Sequence, residues 1–310
     1  MRRLMAGFLG LVLAVGRESG GAEVGELWQR LTSAVIATQT RALGRDGGAA
    51  LLLQPSEDAI LSFTSNSVSS ADVPPFITGS VASGMPPTNL ATGTAPVSLA
   101  NPDNAASGDL QEGYRIRFSG TAPATAASPW FGFNGSTSAV AMRSDAGQSV
   151  DNTPWPRGPG AATLRYEVAR YPRKSVQLVA AVESAAIDLR YSGVGDSGSG
   201  GYASFADKGS IAICFDREGR LDAVMQFGAG SVPTVQPLTP TAPLYLLVAS
   251  AADIKSNRSL QSTASRWLAI APSSGRVSIA VNVAVSGTTT DAIKAARANA
   301  RTGITEGIGQ

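Results

Sequence analysis

Residues 265–283 read SRWLAIAPSSGRVSIAVNV, and this stretch contains the pattern that decides the fold. Residues 266–271 and 276–281 are apolar runs of strand length, and the residues between them, PSSG, are those of a tight turn. The two runs therefore predict an antiparallel hairpin. The same pattern recurs where SIAICF at 210–215 is followed by the turn DREG and a second apolar run at 221–227. A second antiparallel hairpin is predicted there.

Further short strands are predicted along the chain from apolar or alternating runs bounded by turn residues. They lie at 49–53, 59–63, 113–119, 130–133, 163–169, 187–191 and 244–250. The first two flank a turn at 55–58 and predict a further hairpin. Strands and helices do not alternate along the chain, so a doubly wound parallel sheet is not expected. The prediction is an α+β fold, with an N-terminal helix packed on a mainly antiparallel β-sheet head.

The N-terminal region divides into two predicted segments. Residues 1–22 hold Arg2 and Arg3, then an apolar run at 4–15, and the sequence RESGG at 17–21 is expected to end any membrane helix there. Three interpretations of this run stay open: a secretory signal, a short prepilin leader, or a buried strand or helix. Residues 23–45 predict an amphipathic helix, because apolar residues recur at helical spacing.

The rest of the chain is expected to form one β-rich head over residues 46–287. A Ser-, Thr-, Gly- and Pro-rich stretch at 64–110 is predicted to be a long loop insertion with little core of its own. Residues 288–310 predict a short, exposed C-terminal helix and a tail. Asp291 lies near the start of that helix and Arg297 and Arg301 near its end, as the helix dipole favours.

Composition excludes several kinds of chemistry. The 310 residues include no His and a single Cys, so Ser-His-Asp and Cys-His catalysis, His metal sites and an intrachain disulfide are impossible. The 25 Lys and Arg residues nearly balance the 23 Asp and Glu residues and are scattered along the chain. A nucleic-acid partner is not expected, because such proteins carry clustered basic patches.

The remaining chemical motifs have simpler explanations. The sequence GDSG at 195–198 matches the nucleophile segment of trypsin-like proteases but lacks a His base, and it is interpreted as a flexible loop. Acidic residues in two segments could serve a calcium site or a glycosidase pair, yet a solvated loop and a tight turn explain them better. They are Asp103, Asp109 and Glu112 in the first segment, and Asp216, Glu218 and Asp222 in the second. Cys214 is expected to be a small buried hydrophobe, and no catalytic, cofactor or metal residue is predicted.

Several segments, taken in order, resemble bacterial type IV pilin-like proteins, including the minor pseudopilins of type II secretion systems. They are TRALGRDGGAALLL at 40–53, LRYEVARYPRKS at 164–175, AIDLRYSG at 186–193, SIAICFDREGR at 210–220 and SRWLAIAPSSGRVSIAVNV at 265–283. The resemblance implies leader processing between Gly7 and Phe8. The chain departs from the family pattern at Val12, where mature pilins carry Glu. It also departs at 16–21, which interrupts the apolar run, and the two departures imply a degenerate or truncated stalk.

The resemblance implies a non-enzymatic structural subunit of a type IV pilus or type II secretion-type filament. Its expected partners are other pilin or pseudopilin subunits and, through the N-terminal segment, the inner membrane. It would be exported, to the inner membrane, periplasm or cell surface, with no cofactor and no small-molecule substrate. Two alternatives stay open: an exported β-rich surface or adhesion module, and a secreted hydrolase that uses two carboxylates in a cleft.

Overall fold

The computed structural model of the chain describes residues 2–55, 64–83, 98–100, 102–111, 114–120, 127–136, 139–144, 164–180, 182–195, 203–206, 209–228, 235–238, 240 and 242–305. Over these residues the protein is mostly antiparallel β-sheet with a few helices. The four helices are α1 Arg2–Ala42, α2 Ala251–Lys255, α3 Thr290–Ala296 and α4 Ala298–Thr305. The strands of the larger sheet are β1 Ala49–Pro55, β2 Thr64–Asp72, β9 Arg173–Ala180, β10 Ala185–Asp188, β11 Gly193–Val194, β12 Ala203–Ser204, β13 Ile211–Phe215, β14 Leu221–Phe227, β15 Val235–Leu238, β16 Leu244–Ser250, β17 Arg266–Ile270 and β18 Val277–Val281. Those of the smaller sheet are β3 Ile77–Ser83, β4 Ser98–Leu99, β5 Arg115–Gly120, β6 Phe131–Ser136, β7 Ala139–Ser144 and β8 Leu164–Ala169.

The first helix is continuous from Arg2 to Ala42, so residues 1–22 do not form a segment separate from the helix at 23–45. The interruption at 16–21, predicted for an apolar membrane helix, does not break the helical backbone of α1. Glycine costs an exposed helix only about 1 kcal/mol per residue relative to alanine, which weakens a helix without ending it. Within the part of the chain that the structure describes, no helix combines the length and the apolar character needed to cross a membrane.

The larger sheet curls around the C-terminal half of α1. Its strand order runs β12-β11-β16-β10-β2-β1-β13-β14-β15, with β17 and β18 continuing beyond β16 and with β9 paired to β2. The helix packs on β1, β10, β16 and β17, among other strands. Its buried core residues recur every three or four positions at Val24, Leu27, Leu31, Ala34, Val35 and Ala42. This is the face that the sequence pattern predicts.

Both faces of strand β16 are buried. In β16, Leu244, Leu246 and Val248 pack toward α1, whereas Tyr245 and Leu247 belong to a second cluster that includes residues of the C-terminal helices. A strand that is buried on both faces has no solvent side and needs no polar alternation. Burial of both faces therefore explains why the apolar run at 244–250 is unbroken.

The smaller sheet is an insertion in the larger one. Strands β2 and β9 pair antiparallel, with Asp72 opposite Arg173, and the chain between them builds the six-stranded sheet β4-β3-β8-β5-β6-β7. This part, the lobe, has a separate core of eleven buried residues. The prediction of a structureless loop at 64–110 is therefore wrong over β2, β3 and β4. Pairing of β2 with both β1 and β9 supplies the hydrogen bonds of this Ser-rich strand.

The hairpins predicted at 210–227 and 265–283 are confirmed, since β13 pairs with β14 and β17 with β18. The predicted hairpin at 49–63 is different in the structure. The strand that pairs with β1 is β2, which begins at Thr64. Its predicted partner at 59–63 lies outside the described residues.

The C-terminal segment is two short helices, and it is not simply an exposed one. Ile293, Ala296 and Ala300 are buried against the larger sheet. The guanidinium of Arg297 is buried as well: it donates to the carbonyl oxygens of Gly195 and Tyr191 at 2.8 and 2.7 Å. Its carbon also lies 4.5 and 5.0 Å from the ring centres of Tyr245 and Trp267. Cation–π contacts and carbonyl acceptors together compensate a buried arginine.

The two ends of the curled sheet meet at one side chain of α1. The Nε2 of Gln39 donates to the carbonyl oxygen of Gly219, in the β13–β14 turn, at 3.2 Å, and to that of Gly275, in the β17–β18 turn, at 2.5 Å. Gly275 has φ +65°, and a Cβ there would lie 2.1 Å from the Gly219 oxygen. The two turns thus touch, and Gln39 links both of them to the helix.

Replacing Gln39 should loosen this closure. We expect Gln39→Ala to lower the free energy of unfolding by about 2 kcal/mol, because two partly buried carbonyl groups lose their donor. Urea denaturation followed by circular dichroism measures the change. Gln29→Ala is the matched control, since Gln29 lies exposed on the same helix and should change stability by less than about 0.5 kcal/mol. Equal effects of the two substitutions would contradict the role assigned to Gln39.

Candidate functional site

A cavity of about 310 Å³ lies where the lobe packs on the outer face of the larger sheet. One wall comes from the lobe and carries Phe76, Arg115, Arg117, Trp130 and Arg170. The opposite wall comes from β13, β14 and the turn between them. Its residues that bear on chemistry are Cys214, Asp216, Arg217, Glu218 and Asp222. The cavity is therefore lined by arginines, carboxylates and aromatic rings.

The lobe wall is an arginine–aromatic cluster. The guanidinium carbon of Arg117 lies 4.6 Å from the ring centre of Trp130 and 5.5 Å from that of Phe76. The two rings meet edge to face, with centres 5.3 Å apart. Arg117 also donates to Glu167 at 2.5 Å, so its position is held by both an ion pair and ring contacts.

The two walls are joined by one ion pair. Arg115 projects from β5, and its Nη1 donates to Oδ2 of Asp222 on β14 at 2.8 Å. The arginine side chain is 1% exposed and the aspartate side chain 34%. A guanidinium so deeply buried needs a charged acceptor, so Asp222 anchors the lobe to the larger sheet.

Cys214 lies on the floor of the cavity, and it is buried as the sequence predicts. The pKa of its thiol is raised to about 12, chiefly by burial and secondly by the nearby Asp222 carboxylate, while Arg115 acts in the opposite direction. The thiol therefore stays protonated at neutral pH. A protonated thiol is a poor nucleophile, and Cys214 contributes packing to the cavity floor.

Asp216 ends β13 and organises the turn that follows. Its Oδ1 accepts the backbone N–H groups of Glu218 and Arg220 at 3.0 and 2.8 Å. Burial raises the pKa of this carboxyl, and the two backbone hydrogen bonds oppose that rise. The next two residues form the outer rim, where Arg217 donates to Glu218 at 3.0 Å.

The balance of charges favours binding over acid–base catalysis. Four arginines and four carboxylates line the cavity, including Asp46 on the rim. Asp222 pairs with Arg115, whereas the described hydrogen bonds of Asp216 come from backbone N–H groups of its own turn and use only Oδ1. Among the described residues, no group of three or more Cys, Asp or Glu side chains could hold a metal ion. Ion pairs and hydrogen bonds to a small ligand are what this lining can supply.

The described residues among the other sequence candidates are not part of the cavity lining. Gly7 and Phe8 fall within α1, near its N-terminal end. Asp103 pairs with Arg165, and Asp109 accepts the backbone N–H of Ala106, whereas Glu112 is outside the described residues. In the sequence at 195–198, only Gly195 is described.

The sequence analysis missed Arg115, Arg117, Trp130 and Arg170 as site residues. The first two alternate with apolar residues in β5, which predicts a strand with one face in solvent. Instead that face packs on a second sheet. Arginines beside aromatic residues on a predicted strand were the available signal, but nothing in the local pattern indicates that another sheet covers them.

Comparisons with known protein families, with curated proteins and with solved structures find no match. Any functional proposal therefore rests on the sequence and structure of this chain alone. Two features are available for that purpose, namely the long helix that the sheet surrounds and the charged cavity beneath the lobe.

The ion pair between the walls gives a stability prediction. Asp222→Ala should lower the free energy of unfolding by about 2 kcal/mol, because it removes the carboxylate acceptor of a buried guanidinium. Asp103→Ala is the matched control, since the pair of Asp103 with Arg165 is about half exposed on both sides. Exposed pairs contribute at most about 1 kcal/mol. Chemical denaturation measures both changes, and a smaller loss for Asp222→Ala than for the control would contradict the anchoring role.

Burial of Cys214 predicts a pH dependence. Because its pKa is 9.0 ordinarily and about 12 in the folded protein, the folded state holds a proton that the unfolded state loses between these values. The contribution of Cys214 to stability is fully present below pH 9 and decreases as pH rises toward 12. Unfolding free energies measured across this range should fall more steeply for the natural protein than for Cys214→Ala. Parallel curves would show that the thiol is not buried as described.

Proposed function

We propose that the chain is a non-enzymatic, pilin-like structural subunit of a type IV pilus or type II secretion-type filament. In this proposal, the N-terminal half of α1 contacts the corresponding helices of other subunits and the inner membrane. The sheet and the lobe form the exported head. The observation that carries the proposal is a 41-residue N-terminal helix whose C-terminal half lies inside an antiparallel sheet.

The dimensions of the helix support this division of roles. At 1.5 Å per residue, α1 is about 60 Å long. Its residues in the described core begin only at Val24. The apolar sequence at 4–15 ends nine residues before Val24, the first residue of α1 in the described core. In the proposal, this apolar run packs against other subunits.

The continuity of α1 supports the proposal at one point where the sequence departs from the family pattern. The RESGG segment at 17–21 implies a truncated stalk when the family pattern is applied to the sequence alone. Since α1 continues through it, a stalk-like element of normal continuity is compatible with the chain. The residue at the family's Glu position is still Val12, so the proposal assigns no role there to a carboxylate.

N-terminal processing tests the proposal. The full chain, expressed in a bacterium that possesses a prepilin peptidase, should be recovered from the membrane fraction with N-methylated Phe8 as its first residue. Intact-mass and N-terminal peptide mass spectrometry measure this. Gly7→Val should abolish the cleavage, because pilin-like leaders are cut after a glycine, whereas Gly10→Val, in the same apolar run, should leave it unchanged.

Two other outcomes would contradict the proposal. Cleavage near Ala14 or Ala22 would indicate ordinary secretion and support an exported β-rich surface module. A chain that keeps Met1 in the presence of an active prepilin peptidase would exclude prepilin-type processing.

A further inference from the structure

Two charged groups in the cavity have no side-chain partner of opposite charge among the residues that the structure describes. The first is the carboxylate of Asp216, whose described hydrogen bonds come from backbone N–H groups of its own turn. The second is the guanidinium of Arg170. Its Nη2 donates to the carbonyl oxygen of Pro75 at 3.0 Å, and its Nε is buried without a hydrogen-bond partner.

The other three arginines of the cavity are already paired. Arg115 pairs with Asp222, Arg117 with Glu167, and Arg217 with Glu218. Within the described part of the cavity lining, Asp216 and Arg170 are therefore the two groups without an oppositely charged side chain beside them. Partial burial makes an uncompensated charge costly, and an unpaired buried N–H group adds to that cost.

These two groups belong to opposite walls. Asp216 follows β13 of the larger sheet, and Arg170 follows β8 of the lobe. Both line the same cavity, and Val73, Met225 and Pro172 contribute apolar surface to it. A ligand in the cavity would thus have a carboxylate on one side, a guanidinium on the other, and apolar contacts between them.

We propose that this cavity binds a zwitterionic small molecule of the α-amino-acid class. Its carboxylate pairs with the two Nη groups of Arg170, which can form two parallel hydrogen bonds. Its ammonium group pairs with the carboxylate of Asp216, and its side chain contacts the apolar surface. The cavity volume, about 310 Å³, lies at the lower end of the range for small-molecule sites and suits a ligand of this size.

Ligands that carry only one charge fit less well. A simple anion would approach Arg170 but would also face the carboxylates of Asp216, Glu218 and Asp222. A simple cation would approach Asp216 but would face four arginines. A zwitterion pairs with the unpaired charge on each wall at the same time. The proposed binding site does not depend on whether the chain forms filaments.

Titration calorimetry on the full chain tests the proposal with matched ligands. The panel is glycine, leucine and phenylalanine, together with 4-methylpentanoate, which is leucine without its ammonium group, and 3-methylbutylamine, which is leucine without its carboxylate. We expect at least one amino acid of the panel to bind saturably. We also expect each single-charge analogue to bind at least about tenfold more weakly than leucine, because it loses one charge-assisted hydrogen-bonded pair.

Two substitutions locate the site. Asp216→Asn keeps an oxygen acceptor for the N–H groups of its turn and removes the charge, and Arg170→Gln removes the guanidinium. Each should weaken binding of the amino acid at least about tenfold. Asp291→Asn and Arg276→Gln are the matched controls, because both residues are exposed and neither lines the cavity. Thermal denaturation verifies that each variant is folded.

Three results would overturn the proposal. The first is that no amino acid of the panel binds. The second is that the single-charge analogues bind as tightly as leucine, which would show that the two charges of the ligand do not both contribute to its binding. The third is unchanged affinity in both cavity variants, which would place the ligand elsewhere. The ligand series uses only the natural protein, so it decides the matter even if a variant does not fold.

Discussion

The rest of this structure depends on the burial of one face of α1 in the concave side of the larger sheet. The apolar residues of the helix recur every three or four positions, and strands from both halves of the sheet supply their partners. Because the helix occupies the concave side, the sheet must curl until its distant turns meet at Gln39. Helix and sheet are therefore a single packing unit, in which the sheet does not keep its curvature without the helix.

The convex side of the same sheet has to be covered as well, since strands β13 and β16 are apolar and buried on both faces. Two different elements cover it: the C-terminal helices over β16 and β17, and the lobe near β13 and β14. The first contact is mainly apolar and includes the buried Arg297. The second is incomplete, because charged residues of both sheets meet there and leave a cavity. Packing between two sheets whose facing surfaces are partly polar leaves such a space more readily than packing between apolar surfaces.

Local sequence patterns predict those helices and strands that are determined by residues close together in the sequence. The hairpins at 210–227 and 265–283 combine apolar runs with turn residues, and the helix face at Leu27, Leu31 and Val35 follows from its period. The Ser-rich strand β2 could not be predicted in this way, because its hydrogen bonds come from β1 and from the far more distant β9. Arg115 could not be recognised as buried for the same reason. The candidate cavity is made by contacts between segments that are remote in sequence. Its carboxylates could therefore be identified from the sequence, but the side chains that lie around them could not.

The position of the lobe also constrains the order of events when the chain folds. Asp72 and Arg173 are paired neighbours in the larger sheet, and the whole lobe lies between them. Pairing β2 with β9 before the lobe has formed would close a long, flexible loop, with the entropic cost that this entails. If the lobe first collapses around its own core, its two ends are brought together and the closure costs much less. The kinetic barrier to assembling the larger sheet is therefore set partly by residues that are not in it, and slow folding of the lobe would delay the enclosure of α1.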